Sequence, residues 1–570
     1  MPPPTHAASL LFACKSNLLR THRYLIDTTS HISRHASGSP KDFPFVLAES
    51  ITTLWTDSLS SEATLQLGKV QNLRRATQRL HRILIPANAI FSFWKQLGPT
   101  TRAKGYVPGR MLQEGCIIPS IGGGLCQMSN SLYDTCLSSG CEIIERHPHS
   151  SVIPGSAASL GRDATVAWNY VDFRFRAPIP LLLESFLTHD NLVVRLRATH
   201  RDPAMTSQAR AGLPYFTTPP KASANSCETC GTHSCFRHKD FFAGPRVETK
   251  SAFLLDECWP EFRRYTQAHQ QPGDLFAHPI NGIARYHCPS TGPSHTAPLQ
   301  TLWRSFQTRR HATNTPLRVA AQLSGARAIA QHFSKLLTKD VTTVYVEQSF
   351  LPFLWQNMDL GGRTVKVFMT RLPLAELHRR LDNAFRQHPD RTTLNELRAA
   401  PETVEAEWEA LQYAASIITP HRAIARLFPN KTEKLPWEMP TVTPTSHATD
   451  SKTIAFPGPT VARKGAYELR AAARSLNLEV LLLGNELEGP DFWQGVSTTR
   501  TAKASVTVQP ALIEDKPRML LKSIAAGLSV IASDACGLDP APGVHIIPAC
   551  NESALTEALA TVFQRKMTVA

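Results

Sequence analysis

Ser120-Ile-Gly-Gly-Gly-Leu-Cys126-Gln-Met-Ser-Asn-Ser131 is the stretch whose reading organises the first third of this chain. Three consecutive glycines permit positive φ and close approach to another backbone, and helical periodicity starts directly behind them. From about Leu125 to Ser139, Leu125, Met128, Leu132 and Cys136 share one apolar stripe, whereas Cys126, Asn130 and Tyr133 fall on the neighbouring face. Cys126 is therefore predicted at a helix start and off the core stripe, where the helix dipole favours the nucleophilic thiolate. Gly140 ends the helix. Beyond it, Cys141-Glu-Ile-Ile-Glu-Arg-His147-Pro-His149-Ser reads as a short strand that delivers two histidines to a loop. A cysteine at a helix start followed by such a histidine is the arrangement a cysteine nucleophile with an imidazole base requires. The competing reading is a tight turn beside a small buried cysteine.

The motifs around this stretch occur in a specific order. They are Phe91-Ser92-Phe93 with Gly98-Pro99, Gly105-Tyr106, Gly122 to Gln127, Arg146-His147-Pro148-His149-Ser150, and Gly161-Arg162-Asp163-Ala164-Thr165-Val166-Ala167-Trp168. In this order they resemble the VanW family, named for a vancomycin-resistance cluster, over residues 40 to 200. Trp94 departs from the pattern, since the family often has asparagine there. The resemblance implies a bacterial domain linked to peptidoglycan and antibiotic resistance, some members being regarded as cysteine-dependent L,D-transpeptidases. It makes Cys126 the matching nucleophile and His149 its base, with Asp163 a candidate for orienting the imidazole.

Residues 1–40 are polar and rich in Ser, Thr and His, and are read as a loosely ordered lead-in. Helical periodicity over Glu62 to Leu84 precedes an Ile90–Phe93 strand, and alternation returns over Thr165–Arg176. Leu181–Leu187 and Asn191–Arg197 read as a hairpin. The pattern predicts an α+β domain over 41–215.

With 570 residues and 42% hydrophobic content, the chain has material for several cores. A net charge of +15 and a pI near 9.4 point to an anionic partner. No dense basic run with interleaved aromatics appears, so phosphate-bearing small molecules are expected rather than nucleic acid. The short apolar run Ala7–Cys14 has its basic residues after it, which suits neither a membrane span nor a secretory signal. A cytoplasmic location with no transmembrane segment is expected. Twelve cysteines then read as thiols, ligands or a nucleophile rather than a disulfide framework.

A Pro/Ser/Thr-rich boundary at 217–226 leads into Cys227-Glu-Thr-Cys230-Gly-Thr-His233-Ser-Cys235-Phe-Arg-His238. Three thiols in nine residues can converge on one metal, so 226–290 is read as a cysteine-rich metal module. Cys258, His238 or His233 is the fourth ligand, and the spacing fits either zinc or an iron–sulfur cluster.

After a Pro/Thr/His-rich linker at 290–315, strands and helices alternate. Leu317–Ala321, Thr343–Val346, Thr364–Met369, Ser416–Thr419, Thr453–Phe456, Glu479–Leu483 and Ser529–Ala532 read as strands, with helical segments between them. Parallel sheets covered on both faces follow, as two Rossmann-like halves at 315–445 and 450–566. Ile418-Thr-Pro-His421, Leu435-Pro-Trp437, Phe456 to Gly465, Gln509 to Arg518 and Ala526 to Ile531 resemble a GT-B glycosyltransferase of the group-1 type over 315–566. Arg463 and Lys464 stand at a helix start, where cations and backbone amides meet a diphosphate. The resemblance implies that Glu514 faces the donor sugar. Lys522 occupies the position where that family carries a second glutamate for the ribose, and a cation cannot accept those hydroxyl hydrogen bonds.

The sequence thus predicts a multidomain α/β protein that modifies or assembles a cell-envelope glycoconjugate. Nucleotide-sugar-dependent glycosyl transfer ranks first, cysteine-dependent acyl transfer second, and a ligand-binding scaffold without turnover third. The acceptor is expected to be envelope-related.

Overall fold

The computed structural model describes residues 6–29, 32–55, 63–113, 116–149, 157–210, 225–226, 248–286, 288–442 and 452–569. They form two compact units. One is Met1–Thr249 with Leu337–Thr342 and Asn357–Arg363; the other is Lys250–Leu336 with Thr343–Gln356 and Thr364–Ala570.

In the first unit, β1 (Phe45–Thr53), β2 (Ile83–Ile85), β8 (Leu181–Leu187) and β9 (Asn191–Ala198) make an antiparallel sheet in the order β1-β9-β8-β2. The hairpin of β4 (Pro108–Gln113) and β5 (Cys116–Ile121) is joined in parallel by β10 (Asn225–Ser226). A third sheet orders β3 (Phe91–Ser92), β7 (Arg174–Arg176) and β6 (Glu142–Glu145) as β3-β7-β6. Four helices complete the frame: α1 (His6–Thr29), α2 (Ala63–Leu80), α3 (Phe93–Leu97) and α4 (Cys126–Ser139). The predicted stripe on α4 is observed, since Leu125, Met128, Leu132 and Cys136 are all buried in the core that β8 and β9 line. Gly140 ends the helix at φ 74°, a left-handed conformation that glycine adopts without strain. The short helix α5 (Pro203–Gln208) follows β9 and packs on α4.

Two expectations are corrected here. The lead-in is ordered as α1, because ion pairs compensate for its poor apolar pattern: Arg23 grips Glu145 with contacts of 2.7 and 2.6 Å, and Asp27 meets Arg174 at 2.6 Å. The alternation over Thr165–Arg176 yields only an Ala167–Val171 bridge and the short β7. Asn169 turns the chain there at φ 56°, a conformation that asparagine tolerates better than most residues.

The second unit contains two sheets. The first orders β11 (Lys250–Leu254), β12 (Leu275–His278), β13 (Ser294–Thr296), β14 (Val341–Glu347), β15 (Thr364–Phe368), β16 (Ser416–Thr419) and β17 (Thr432–Lys434) as β13-β12-β11-β14-β15-β16-β17. The second orders β18 (Thr453–Phe456), β19 (Glu479–Leu482), β20 (Thr498–Thr499), β21 (Val506–Gln509), β22 (Ser529–Ser533) and β23 (Val544–Ile547) as β20-β19-β18-β21-β22-β23, all parallel. Counted from its own first strand, each sheet reads 3-2-1-4-5-6, the Rossmann order, with a seventh strand added to the first.

The first half therefore begins at Lys250 and not at 315. Residues 250–290, assigned above to a metal module, supply β11, β12 and α6 (Pro260–His269), and the supposed linker holds β13 and α7 (Pro298–Arg310). Leu317–Ala321 is helix, not strand, inside α8 (Thr315–Ser334). The Asn314 side chain accepts from Leu317 N at 3.0 Å and Pro316 lies in the first turn, a start signal that outweighs the local alternation.

Leu132 is fully buried on the α4 stripe, so Leu132→Ala should destabilise the first unit by about 2–5 kcal/mol. A shift of the urea midpoint at unchanged slope is the expected result.

Candidate functional site: a Cys–His–Asp cluster and a Lys–Glu pair

The glycine turn is wedged into the first unit. Gly122 and Gly124 sit at φ 80° and 98°, and a Cβ on Gly123 would stand 2.3 Å from Gly109 O. No other residue fits that backbone without moving β4. The fully buried Asn72 of α2 holds the turn in place. Its Nδ2 donates to Gly123 O and Val107 O, both at 2.9 Å, while its Oδ1 accepts from Val107 N at 2.9 Å.

The turn delivers Cys126 as the first residue of α4, half-buried and with a free thiol 3.8 Å from Val166 O. Two polar side chains of the same helix clamp the following loop. Ser129 Oγ donates to Ala164 O at 2.6 Å, and Asn130 Oδ1 accepts from Ala164 N at 2.8 Å. The clamp fixes the neighbouring Asp163, whose buried carboxylate accepts from His149 N at 2.7 Å, His149 Nδ1 at 2.6 Å and Arg146 Nη2 at 2.7 Å. With Nδ1 engaged by Asp163, the imidazole keeps Nε2 available, and its pKa responds to Cys126 as well as to Asp163.

Burial disfavours the protonated His149 ring, but the hydrogen bonds and charges of Cys126 and Asp163 outweigh it and raise the pKa. Burial likewise opposes ionisation of Asp163, and its bonds to His149 with the Arg146 charge bring the net shift down. The three residues singled out in the sequence are thus brought together. His147, the other histidine of the motif, is turned to Glu145 at 3.1 Å. Cys136 and Cys141 are buried, and burial with the neighbouring Cys141 pushes the Cys136 thiol well up. Asn72, Ser129 and Arg146 had no assigned role in the sequence reading; a polar residue buried on a helix leaves no local mark there.

In the second unit, Lys464 and Glu514 also meet. Lys464 Nζ contacts Glu514 Oε2 at 2.9 Å and Ile513 O at 3.0 Å. Glu514 accepts further bonds from Gln509 Nε2 and, at 2.8 Å, from Lys516 N, so both of its oxygens are occupied. The buried His421 bonds Glu514 O at 3.1 Å, and burial drops its pKa to about 4. Arg463 is buried and pairs at 3.1 Å with Glu396 of the first half. Lys516 and Arg518 cross between the halves to Glu257 and Glu261. Lys522 is exposed on the helix Arg518–Ala525.

Cys227, Cys230 and Cys235 lie outside the described residues. Cys258 and Cys288 are buried free thiols in one apolar cluster of the first parallel sheet. Among the described residues no group of three or more His, Cys, Asp or Glu side chains could hold a metal ion. No described helix is long and apolar enough to cross a membrane.

The region of the Cys126–His149–Asp163 cluster has counterparts among known proteins. Residues 68–197 match the family described as VanW like protein, and they contain the whole Cys126–His149–Asp163 cluster. Over 160 residues, 27% of this chain, it is 28% identical to the uncharacterized protein YoaR of Bacillus subtilis, and over 180 residues, 31% of this chain, 27% identical to the vancomycin B-type resistance protein VanW of Enterococcus faecalis. The chain spans about half the length of the first relative, 52%, and 66% of the second. Solved structures that align with 56% of the chain include sucrose-phosphate synthase from Thermosynechococcus elongatus (12% identity, TM-score 0.35) and Anabaena HepE in complex with UDP-glucose (13%, 0.33), each covered over 91% of its length. Likenesses this low carry no argument of their own, and the two Rossmann-like halves rest on the strand order.

Below neutral pH, limiting iodoacetamide should label Cys126 before the buried Cys136, and His149→Ala should slow that labelling about tenfold or more. The raised His149 pKa adds stability below the ordinary histidine value of about 6.5, and that stability is lost as pH rises through the higher folded value. The stability gap between parent and His149→Ala should therefore narrow as pH rises above about 6.5.

Proposed function

We propose that this protein modifies or assembles a cell-envelope glycoconjugate, and that its first unit performs cysteine-dependent acyl transfer. The observation that carries the reading is the buried Asp163 carboxylate holding Nδ1 of His149, an imidazole whose pKa is raised in part by the free Cys126 thiol. Loss of the thiol proton to His149 Nε2 leaves a thiolate facing an imidazolium. The thiolate attacks an acyl carbon, and the tetrahedral intermediate collapses as the imidazolium protonates the departing amine. His149 next takes a proton from an incoming amine, which attacks the thioester and releases Cys126. Asp163 keeps the ring in the required tautomer throughout. The resistance protein among the relatives supports an envelope substrate, and a peptide of peptidoglycan type is the acyl donor in this reading. A cytoplasmic location belongs to the same proposal, and it would offer the thiol wall precursors rather than the finished wall.

Incubation of pure protein with a peptidoglycan stem peptide and an amine acceptor should leave a thioester-linked adduct on Cys126, seen by intact-mass spectrometry. Cys126→Ser should abolish it, and Asp163→Asn should slow its formation by about 100-fold or more. No adduct with any stem peptide would overturn the reading.

A second reading, nucleotide-sugar-dependent glycosyl transfer by the second unit, rests on Lys464 and Glu514 in loops behind β18 and β21, the central strands of a parallel sheet. Ligands bind such sheets beyond their carboxyl ends. In this reading Lys464 meets the donor diphosphate with Arg463 beside it in sequence, and Glu514 faces the sugar. Lys464→Ala should weaken nucleoside diphosphate binding by about 2 kcal/mol, measured calorimetrically. Because Lys464 is also the counter-ion of the buried Glu514, the double variant Lys464→Ala/Glu514→Gln separates loss of ligand from loss of fold. Unchanged binding in both variants would remove Lys464 from the site.

A shared metal at Cys227, Cys230 and Cys235 is likewise a proposal, with Cys258 as the fourth ligand. Metal analysis should find about one zinc, or an iron–sulfur cluster, that Cys230→Ser releases. Full occupancy in that variant would end the idea.

A further inference from the structure

Among the described residues, nothing covers one face of helix α7 (Pro298–Arg310). Leu299, Leu302, Trp303 and Phe306 stand at positions i, i+3, i+4 and i+7, a single apolar stripe, and are 77%, 59%, 55% and 57% exposed. Such stripes normally face a core. Here the opposite side of the helix is fixed to the protein instead: the buried Thr301 donates to Pro279 O at 2.9 Å, and Arg304 holds Asp256 with two contacts of 2.8 and 2.6 Å. The neighbouring α8 (Thr315–Ser334) closes on the stem of Arg304, with Gly325 so near that a Cβ there would lie 2.3 Å from Arg304 Cγ. The outward direction of the stripe is therefore set by packing.

Charge identifies what the stripe meets. From Leu275 to Lys339 the chain has no aspartate or glutamate and eight lysines or arginines. The overall composition would place about five carboxylates in a stretch of that length. Arg309 and Arg310 are exposed at the end of the stripe and form no ion pair among the described residues. Aromatic and aliphatic side chains on one face, bordered by unpaired cations, fit the boundary between lipid headgroups and acyl chains. The helix is about 20 Å long, too short to span a bilayer but suited to lying in its surface.

We propose that α7 docks the protein onto an anionic lipid surface. Leu299, Leu302, Trp303 and Phe306 enter the acyl boundary, and Arg309 and Arg310 meet lipid phosphates. The inference is independent of which reaction either unit performs.

Co-sedimentation of the full chain with phosphatidylglycerol–phosphatidylcholine vesicles tests it, with pure phosphatidylcholine vesicles as the reference. Binding should require the anionic lipid and fall about tenfold on raising the salt to about 0.5 M. Trp303→Glu/Phe306→Glu should abolish it, and Arg309→Glu/Arg310→Glu should weaken it about fivefold or more. All four side chains are exposed, so both variants should retain the parent's circular dichroism and melting temperature. Absence of binding by the parent, or equal binding by the variants, would overturn the proposal. So would a parent dimer that Trp303→Glu/Phe306→Glu converts to monomer without any vesicle binding, because the stripe would then belong to a second copy.

Discussion

The carboxylate of Asp163 is the point on which the first unit's chemistry depends. It is buried, accepts from both the backbone and the ring of His149, and is balanced by Arg146. An unpaired buried charge would be costly, so these partners are needed for the fold and, in the same geometry, orient the imidazole. The loop that bears Asp163 is in turn tied to the helix that bears Cys126 through Ser129 and Asn130. Nucleophile, base and orienting group thus share one hydrogen-bonded body, and none can shift without loosening the others.

The second unit is built on a different economy of charge. Lys464 pairs with Glu514 within one half, while Arg463–Glu396, Lys516–Glu257 and Arg518–Glu261 join the halves. Cations that would meet a phosphate already have carboxylate partners here. An anionic ligand must therefore compete with existing ion pairs, and its affinity is reduced by the energy of whatever it displaces.

How much of this could be read from sequence follows the range of each interaction. The α4 stripe, the Gly140 stop, the histidine strand and most parallel strands are local patterns of period and punctuation, and they appear as expected. His149 and Asp163, which lie in neighbouring motifs, also meet. What failed was non-local. The order in α1 comes from ion pairs to Glu145 and Arg174, more than a hundred residues away. Residues 250–290 looked like a small module because the cysteines drew attention from two short strands whose hydrophobicity has meaning only inside a sheet. Asn72 was missed because nothing near it in sequence says that it holds a glycine turn 51 residues on.

That asparagine also sets an order of events for the folding chain. The three reactive groups lie close in sequence and can be gathered by short loops, whereas the sheet beneath them pairs Phe45 with Ala198 and closes a far longer one. The turn that aims the thiol waits on neither of these, but on α2 arriving from upstream to take the carbonyl of Gly123. A chain that has formed its loop and helix but not this docking would hold every reactive atom and still point its sulfur in no fixed direction.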